Sequence, residues 1–250
     1  MEIATLIDEL DREGPRLAAC ATGDLSRPVP TCAPWTLREL LAHLGNVHRW
    51  ATRQVDGALA AEQGRRNEAT MVADAPEDGA LAIWLADGHR LLVEALRRAP
   101  ADLSCWTFLP APSPLAFWAR RQLHETTIHR IDAELARGCV PTLPSAAVAA
   151  DGIEEVLYGF HARRRRDPPE PGASPGTMRL VATDWPASWG VRLEPDTLVA
   201  LPEDEPADVV VTGTAAALYL TAWNRPAEIA VRGDASVLER YARRCRIIWS

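Results

Sequence analysis

Between Met1 and Arg137 four stretches set apolar side chains at the i, i+3, i+4 spacing that keeps them on one face of a helix, and this pattern constrains the fold most. The first, residues 2–20, carries Ile3, Leu6, Ile7, Leu10 and Leu17. A Pro- and Cys-containing loop, Arg27–Trp35, precedes the second. There Thr36 and Glu39 form a T-x-x-E capping box ahead of Leu37, Leu40, Leu41, Leu44 and Val47, with His43 inside the inward-facing arc. After a polar stretch, Gln63–Ala75, Asp78 is expected to cap a third helix containing Leu81, Trp84, Leu85, Leu92 and Leu96, bounded by Pro100. A fourth follows the Pro110–Pro114 turn cluster and runs to Arg137, stopped by Gly138 with Pro141 beyond it. Four helices in that span predict a four-helix bundle over residues 1–137.

The pattern then changes. A helix is expected around Asp151–Arg165, after which Asp167–Gly176 holds four prolines and two glycines, which no regular element tolerates. Met178–Ala182, Gly190–Leu193, Ala207–Val211 and Glu228–Val231 read as short strands, whereas Ala215–Trp223 and Ser236–Arg244 have helical spacing. Residues 138–250 are thus expected to form a smaller α+β domain with a mainly antiparallel sheet, giving an α plus α+β chain of two domains.

Charge and composition remove several functions. A net charge of −7 opposes binding to nucleic-acid phosphates or to anionic membranes, and the one basic run, Arg163–Arg166, reads as a solvated helix end. No segment reaches the roughly 20 apolar residues that span a bilayer, and Met1–Arg12 lacks a secretory signal pattern, so a cytoplasmic protein is expected. The five cysteines are scattered without a C-x-x-C pair and read as reduced thiols.

Chemistry concentrates in the fourth helix. Within Arg120–Glu134, Glu125 and His129 stand four apart and share one face. A catalytic zinc site uses three N or O ligands and keeps one position open, so a facing helix must supply the third, for which His43 is the natural source. Spacing alone favours a plainer alternative, a surface i,i+4 pair with His43 bonded to a backbone carbonyl. The setting of His43 among leucines argues the other way, because a buried imidazole needs a partner. The residues by themselves leave the two readings open.

The other histidines divide by face. His124 lies on the stripe Phe117, His124, Ile128, Ile131, Leu135 and reads as core; His48 points away from His43; His89 is a candidate extra or supporting ligand; His161 is expected at the surface. Asp132, three residues after His129, either orients its imidazole or is a solvated acid beside Arg130. Trp84, Trp118 and Trp223 read as core, while Trp50 and Trp106 are candidates for a pocket mouth.

The segment C-A-P-W-T-L-R-E-L-L-A-H-L-G-N-V-H-R-W, Cys32–Trp50, together with H-E-T-T-I-H-R-I-D, His124–Asp132, resembles the mycothiol-dependent maleylpyruvate isomerase family. D-G-I-E-E-V-L at Asp151, D-V-V-V-T-G-T-A at Asp208 and V-R-G-D at Val231 extend the resemblance over most of the chain. It implies a DinB-like N-terminal bundle holding one metal through His43, Glu125 and His129, a ligand set that suits divalent zinc, and a sterol-carrier-like C-terminal domain. It also implies an isomerase or thiol transferase that uses mycothiol, a low-molecular-weight thiol, on a small electrophilic substrate. Arg225, in W-N-R-P, matches a basic position of the family too loosely to receive a role. Two other classes remain as alternatives: a hydrolase in which the same three ligands activate water, and a non-catalytic small-ligand-binding metalloprotein.

Overall fold

The computed structural model describes residues 1–61, 74–162 and 175–245. The Gln63–Ala75 stretch up to residue 73, the Arg163–Arg166 run and residues 167–174 of the Pro-rich segment lie outside the described residues.

Four long helices occupy the first part of the chain. α1 (Ile3–Ala19) buries Leu6, Ile7, Leu10 and Leu17. α2 (Leu37–Asp56) opens on the expected capping box: Thr36 Oγ1 accepts from the Glu39 N–H at 3.3 Å and Glu39 Oε2 accepts from the Thr36 N–H at 2.7 Å. α3 spans Asp78–Arg98, and here the expected cap fails. Asp78 is already in the first turn, with no side-chain cap ahead of it, and its carboxylate pairs instead with Arg38 of α2 at 2.8 Å. α4 (Pro114–Ala136) is capped by Ser113, whose Oγ accepts from the Ala116 N–H at 3.1 Å, and ends before Gly138 at φ +74°, a left-handed conformation suited to glycine.

α1 and α2 each pack against both α3 and α4, so the four helices close into a bundle with α1 diagonal to α2. A buried ion pair stitches α1 to α4: Arg130 Nε donates to Glu13 Oε2 at 2.7 Å and its Nη1 to Glu134 Oε2 at 2.8 Å. Two glycines permit close approach. A Cβ at Gly14 would sit 2.2 Å from His89 Nδ1, and one at Gly45 2.0 Å from the Trp84 ring. α4 differs from its neighbours because it has no exposed residue; 17 of its side chains are buried, many of them polar.

The chain divides into two compact units, Met1–Leu143 and a second that starts at Pro144. Past Gly138, Thr142 is still tied to α4, its N–H donating to Glu134 Oε2 at 2.8 Å and its carbonyl accepting from Arg130. The second unit begins with α5 (Ala146–Glu154), which starts five residues before the expected Asp151 because Ser145 caps it on Val148. Instead of running on as an α-helix it widens into a π-helical turn, Glu155–Phe160. His161 after it is half-buried, edge-on to Tyr241 at 5.8 Å, and not at the surface as expected.

Five strands, β1 (Gly176–Ala182), β2 (Ser188–Leu193), β3 (Leu198–Ala200), β4 (Val209–Gly213) and β5 (Ala230–Gly233), form one sheet in the order β3-β2-β1-β4-β5. All neighbours are antiparallel except β1 and β4, which run parallel with Leu180 opposite Val211. Alternation drives Met178 and Leu180 of β1, and Val209 and Val211 of β4, into the core with α6 (Ala215–Ala222) and α7 (Ala235–Arg244). The result is the expected helical bundle followed by an α+β unit with a mainly antiparallel sheet. Among the described residues no helix is long and apolar enough to cross a membrane.

Candidate metal centre

His43 faces inward from α2, and Glu125 and His129 face it from α4 one turn apart. All three are buried, at 2%, 6% and 8% exposure. His43 Nε2 lies 3.2 Å from Glu125 Oε1, and His129 Nε2 lies 3.5 Å from the same oxygen. One ligand atom from each residue falls within 4.8 Å of the other two. Nitrogen and oxygen ligands about 2.0–2.1 Å from a tetrahedral ion are themselves about 3.3 Å apart. The two imidazole-to-carboxylate separations lie near that spacing, and two imidazoles with a carboxylate form a donor set that suits a zinc-like ion. The plainer alternative does not describe the pair on α4: Glu125 and His129 are buried and form no surface pair, and His43 Nε2 faces the Glu125 carboxylate.

Surrounding groups hold Glu125 and His129 in place. Arg121, one turn before Glu125, donates to its second oxygen, Oε2, at 3.0 Å, which leaves Oε1 for the imidazoles. Asp132 is fully buried and accepts from His129 Nδ1 at 2.9 Å, so it orients the imidazole and is no solvated acid. Cys32, at the end of the 3₁₀ turn Pro30–Cys32, donates its S–H to the same Asp132 oxygen at 3.1 Å. The Trp35 ring centroid is 4.9 Å from that of His43 and 6.5 Å from that of His129.

The electrostatics follow from these contacts. Burial pushes the Glu125 carboxyl up, but hydrogen bonds from His129 and His43 and the nearby Arg121 guanidinium outweigh it and hold the group well below the usual range. Burial pushes His129 down, yet its bonds to Asp132, Cys32 and Glu125 prevail and hold it well above an ordinary histidine. A carboxylate beside an imidazolium is a site where a cation can replace a proton.

The remaining predicted groups lie elsewhere. His124 is fully buried on another face of α4. His48 bonds Thr126 Oγ1 at 2.9 Å, and His89 reaches the Leu10 carbonyl of α1 at 2.9 Å, which makes it a brace between helices and not a ligand. Burial, the largest cause in both, pushes His48 well below and His89 below the ordinary histidine range. Trp50 is buried and packs edge-on to Trp118 at 5.1 Å and Trp106 at 6.1 Å, an aromatic cluster within the bundle. Trp84 is half-buried, with the Arg49 guanidinium 3.9 Å above its ring. The Arg225 guanidinium donates to the Trp223 carbonyl at 2.6 Å. Arg121 and Cys32 escaped the sequence reading. Arg121 was detectable by the same four-residue spacing that links Glu125 to His129; Cys32, 100 residues from Asp132, carried no periodic signal.

Residues 6–134, a span that contains all three converging side chains, match the model of the mycothiol maleylpyruvate isomerase N-terminal domain. The chain belongs to this family. Residues 147–240 match the companion model, the MDMPI C-terminal domain. No curated protein matches the chain. Two solved structures, a mycothiol-dependent maleylpyruvate isomerase and a histidine-to-alanine mutant of a protein of that name, share its fold with TM-scores of 0.61 and 0.62. Each is 16% identical to it over 92% of this chain and 93% of its own. For a member of the mycothiol maleylpyruvate isomerase family, the Cys32–Trp50 and His124–Asp132 motifs thus lie in the matched domain, on the elements that build the centre.

Proposed function

We propose that this chain is a mycothiol-dependent metalloenzyme, an isomerase or thiol transferase acting on a small electrophilic substrate, with one zinc ion held by His43, Glu125 and His129. The observation that carries the reading is the approach of two imidazole Nε2 atoms to one buried carboxylate oxygen, in a domain of this family. Such an ion supplies Lewis acidity that favours the thiolate form of a thiol at its open position.

The chain's own residues do the holding and orienting. Asp132 retains the proton on His129 Nδ1 and so presents the Nε2 lone pair; Arg121 occupies Glu125 Oε2 and prevents the carboxylate from rotating. Trp35 flanks the imidazoles with an apolar ring, which lowers the local dielectric. No protein nucleophile is needed. Burial pushes the Cys20 thiol up to about 11 and raises Cys105 as well, the opposite of activation. In the isomerase form the cosubstrate thiolate adds to a cis double bond conjugated to a carbonyl, the resulting single bond rotates, and elimination returns the trans alkene with the thiol unchanged. Use of a reduced low-molecular-weight thiol supports a cytoplasmic location.

Titration of the zinc-loaded protein with mycothiol tests the reading. Calorimetry in buffers of different ionisation enthalpy is expected to show proton release, and cobalt-substituted protein a sulfur-to-metal charge-transfer band. If a fully loaded site gives neither signal, the thiol reading fails and metal-assisted hydrolysis takes its place.

A further inference from the structure

We propose that the thiol of Cys32 is a positioning residue for His129, acting through Asp132; the inference rests on the reading of His43, Glu125 and His129 as metal ligands. Cys32 Sγ is 3.1 Å from Asp132 Oδ2, the same oxygen that lies 2.9 Å from His129 Nδ1, and the sulfur is 3.8 Å from Nδ1 itself. One carboxylate oxygen therefore gathers a thiol proton and an imidazole proton. A fully buried carboxylate takes the orientation its donors impose, because a lone pair without a donor is costly away from water. The thiol thus holds Oδ2 where it accepts the Nδ1 proton, and the imidazole is fixed with Nε2 toward Glu125 Oε1 and His43.

The loop that carries Cys32 is built to hold that sulfur still. The Val29 N–H donates to the Trp35 carbonyl at 2.8 Å, the Cys32 N–H to the Val29 carbonyl at 2.9 Å, and the Trp35 N–H to the Cys32 carbonyl at 3.0 Å. Farther out, the Leu37 N–H bonds the Arg27 carbonyl at 2.8 Å and the Arg38 N–H the Leu25 carbonyl at 2.9 Å, so the loop is strapped along both arms to the start of α2. The same strap that sets Trp35 beside His43 sets Cys32 behind His129.

The test measures zinc affinity at fixed pH, by chelator competition, for the full chain and for Cys32→Ala, Cys32→Ser, Asp132→Asn and the Cys32→Ala/Asp132→Asn double variant. Groups that orient a metal ligand change affinity by about 10–100-fold when removed. Cys32→Ala is expected to lose about tenfold, and Cys32→Ser, which keeps an O–H donor, to recover most of it. The double variant is expected to bind at most slightly more weakly than Asp132→Asn alone, since the shorter contact of Cys32 is with that carboxylate and its contact with His129 itself is the longer one. The ligand-field bands of cobalt-loaded Cys32→Ala are expected to shift, a change that a loss of loop stability alone would not produce. Cys32→Ala with unchanged affinity, or additive losses in the double variant, overturns the inference while the metal site stands. If the unaltered protein binds no zinc, the reading of the site falls and the positioning role with it.

Discussion

His124 and His129 lie five residues apart on one helix, and their replacement by alanine separates a packing role from a ligand role. His124 is fully buried, so His124→Ala removes an imidazole from the interior and leaves a cavity worth about 2–4 kcal/mol of stability. His129→Ala also destabilises the metal-free protein, because Asp132 Oδ2 and Glu125 Oε1 each lose one of their partners, at 2.9 and 3.5 Å, and the imidazole leaves a buried gap, together about 1–3 kcal/mol. Stability without metal therefore does not distinguish the two variants; the increment added by zinc does. At a free zinc concentration a hundred times the wild-type dissociation constant, binding adds about 2.7 kcal/mol. His124→Ala is expected to keep that increment. Removing one of three ligands weakens binding at least tenfold, so the increment for His129→Ala falls to about 1.4 kcal/mol or less at the same zinc concentration. Denaturant unfolding with and without zinc, paired with chelator competition, measures both quantities. Equal increments for the two variants, or the loss of zinc by His124→Ala alone, would refute the assignment of faces on α4.

Zinc affinity is expected to rise with pH by about tenfold per unit until it levels off at the raised pKa of His129, since the proton and the metal compete for Nε2. Without metal the sign reverses: the imidazolium–carboxylate pair adds stability that is complete below the unfolded pKa of histidine and is lost as pH rises through the folded one, which unfolding curves at several pH values would show. Gly14→Ala places a Cβ 2.2 Å from His89 Nδ1, so the variant is expected to lose about 1–3 kcal/mol, and His89→Ala introduced beside it to recover part of that loss. We further expect a fragment ending at Leu143 to fold alone and bind one zinc, as checked by circular dichroism and metal analysis; an unfolded fragment would show the two units to be interdependent.

Local chemistry explains which features were legible in the sequence. The Thr36 and Glu39 reciprocal cap and the Gly138 stop depend on neighbours a few residues away, so their motifs are sufficient. Helical periodicity placed His43 on an inward face and Glu125 with His129 on one face of α4, but their meeting was legible only through the family motifs that contain them. Asp78 misled because an acid before an apolar run serves equally as a cap or as a first-turn residue, and the choice was made by Arg38, 40 residues away. β3 escaped notice because it has three residues, two of them exposed. Cys32 could not be placed because its role depends on loop bonds and on a carboxylate from a distant helix, neither of which leaves a repeat in the sequence.

The absence of any exposed residue on α4 bears on how this protein can change over time. An ordinary amphipathic helix has an outer face where substitutions drift at little cost, which lets a lineage accumulate variation without touching its core. α4 has no such reservoir: Arg121, Glu125, His129, Arg130 and Asp132 are each bonded to something specific, and the apolar positions between them are close-packed. Most accepted changes there must come in compensating pairs, as when a carboxylate and its guanidinium change together. Single-step variation is instead left to places such as the outer face of α3, where Ile83 and Leu91 already stand in solvent. A mutagenesis library spread evenly over the chain would accordingly return few functional clones from α4, and the positions that do accept change would map which of its buried bonds the fold can spare.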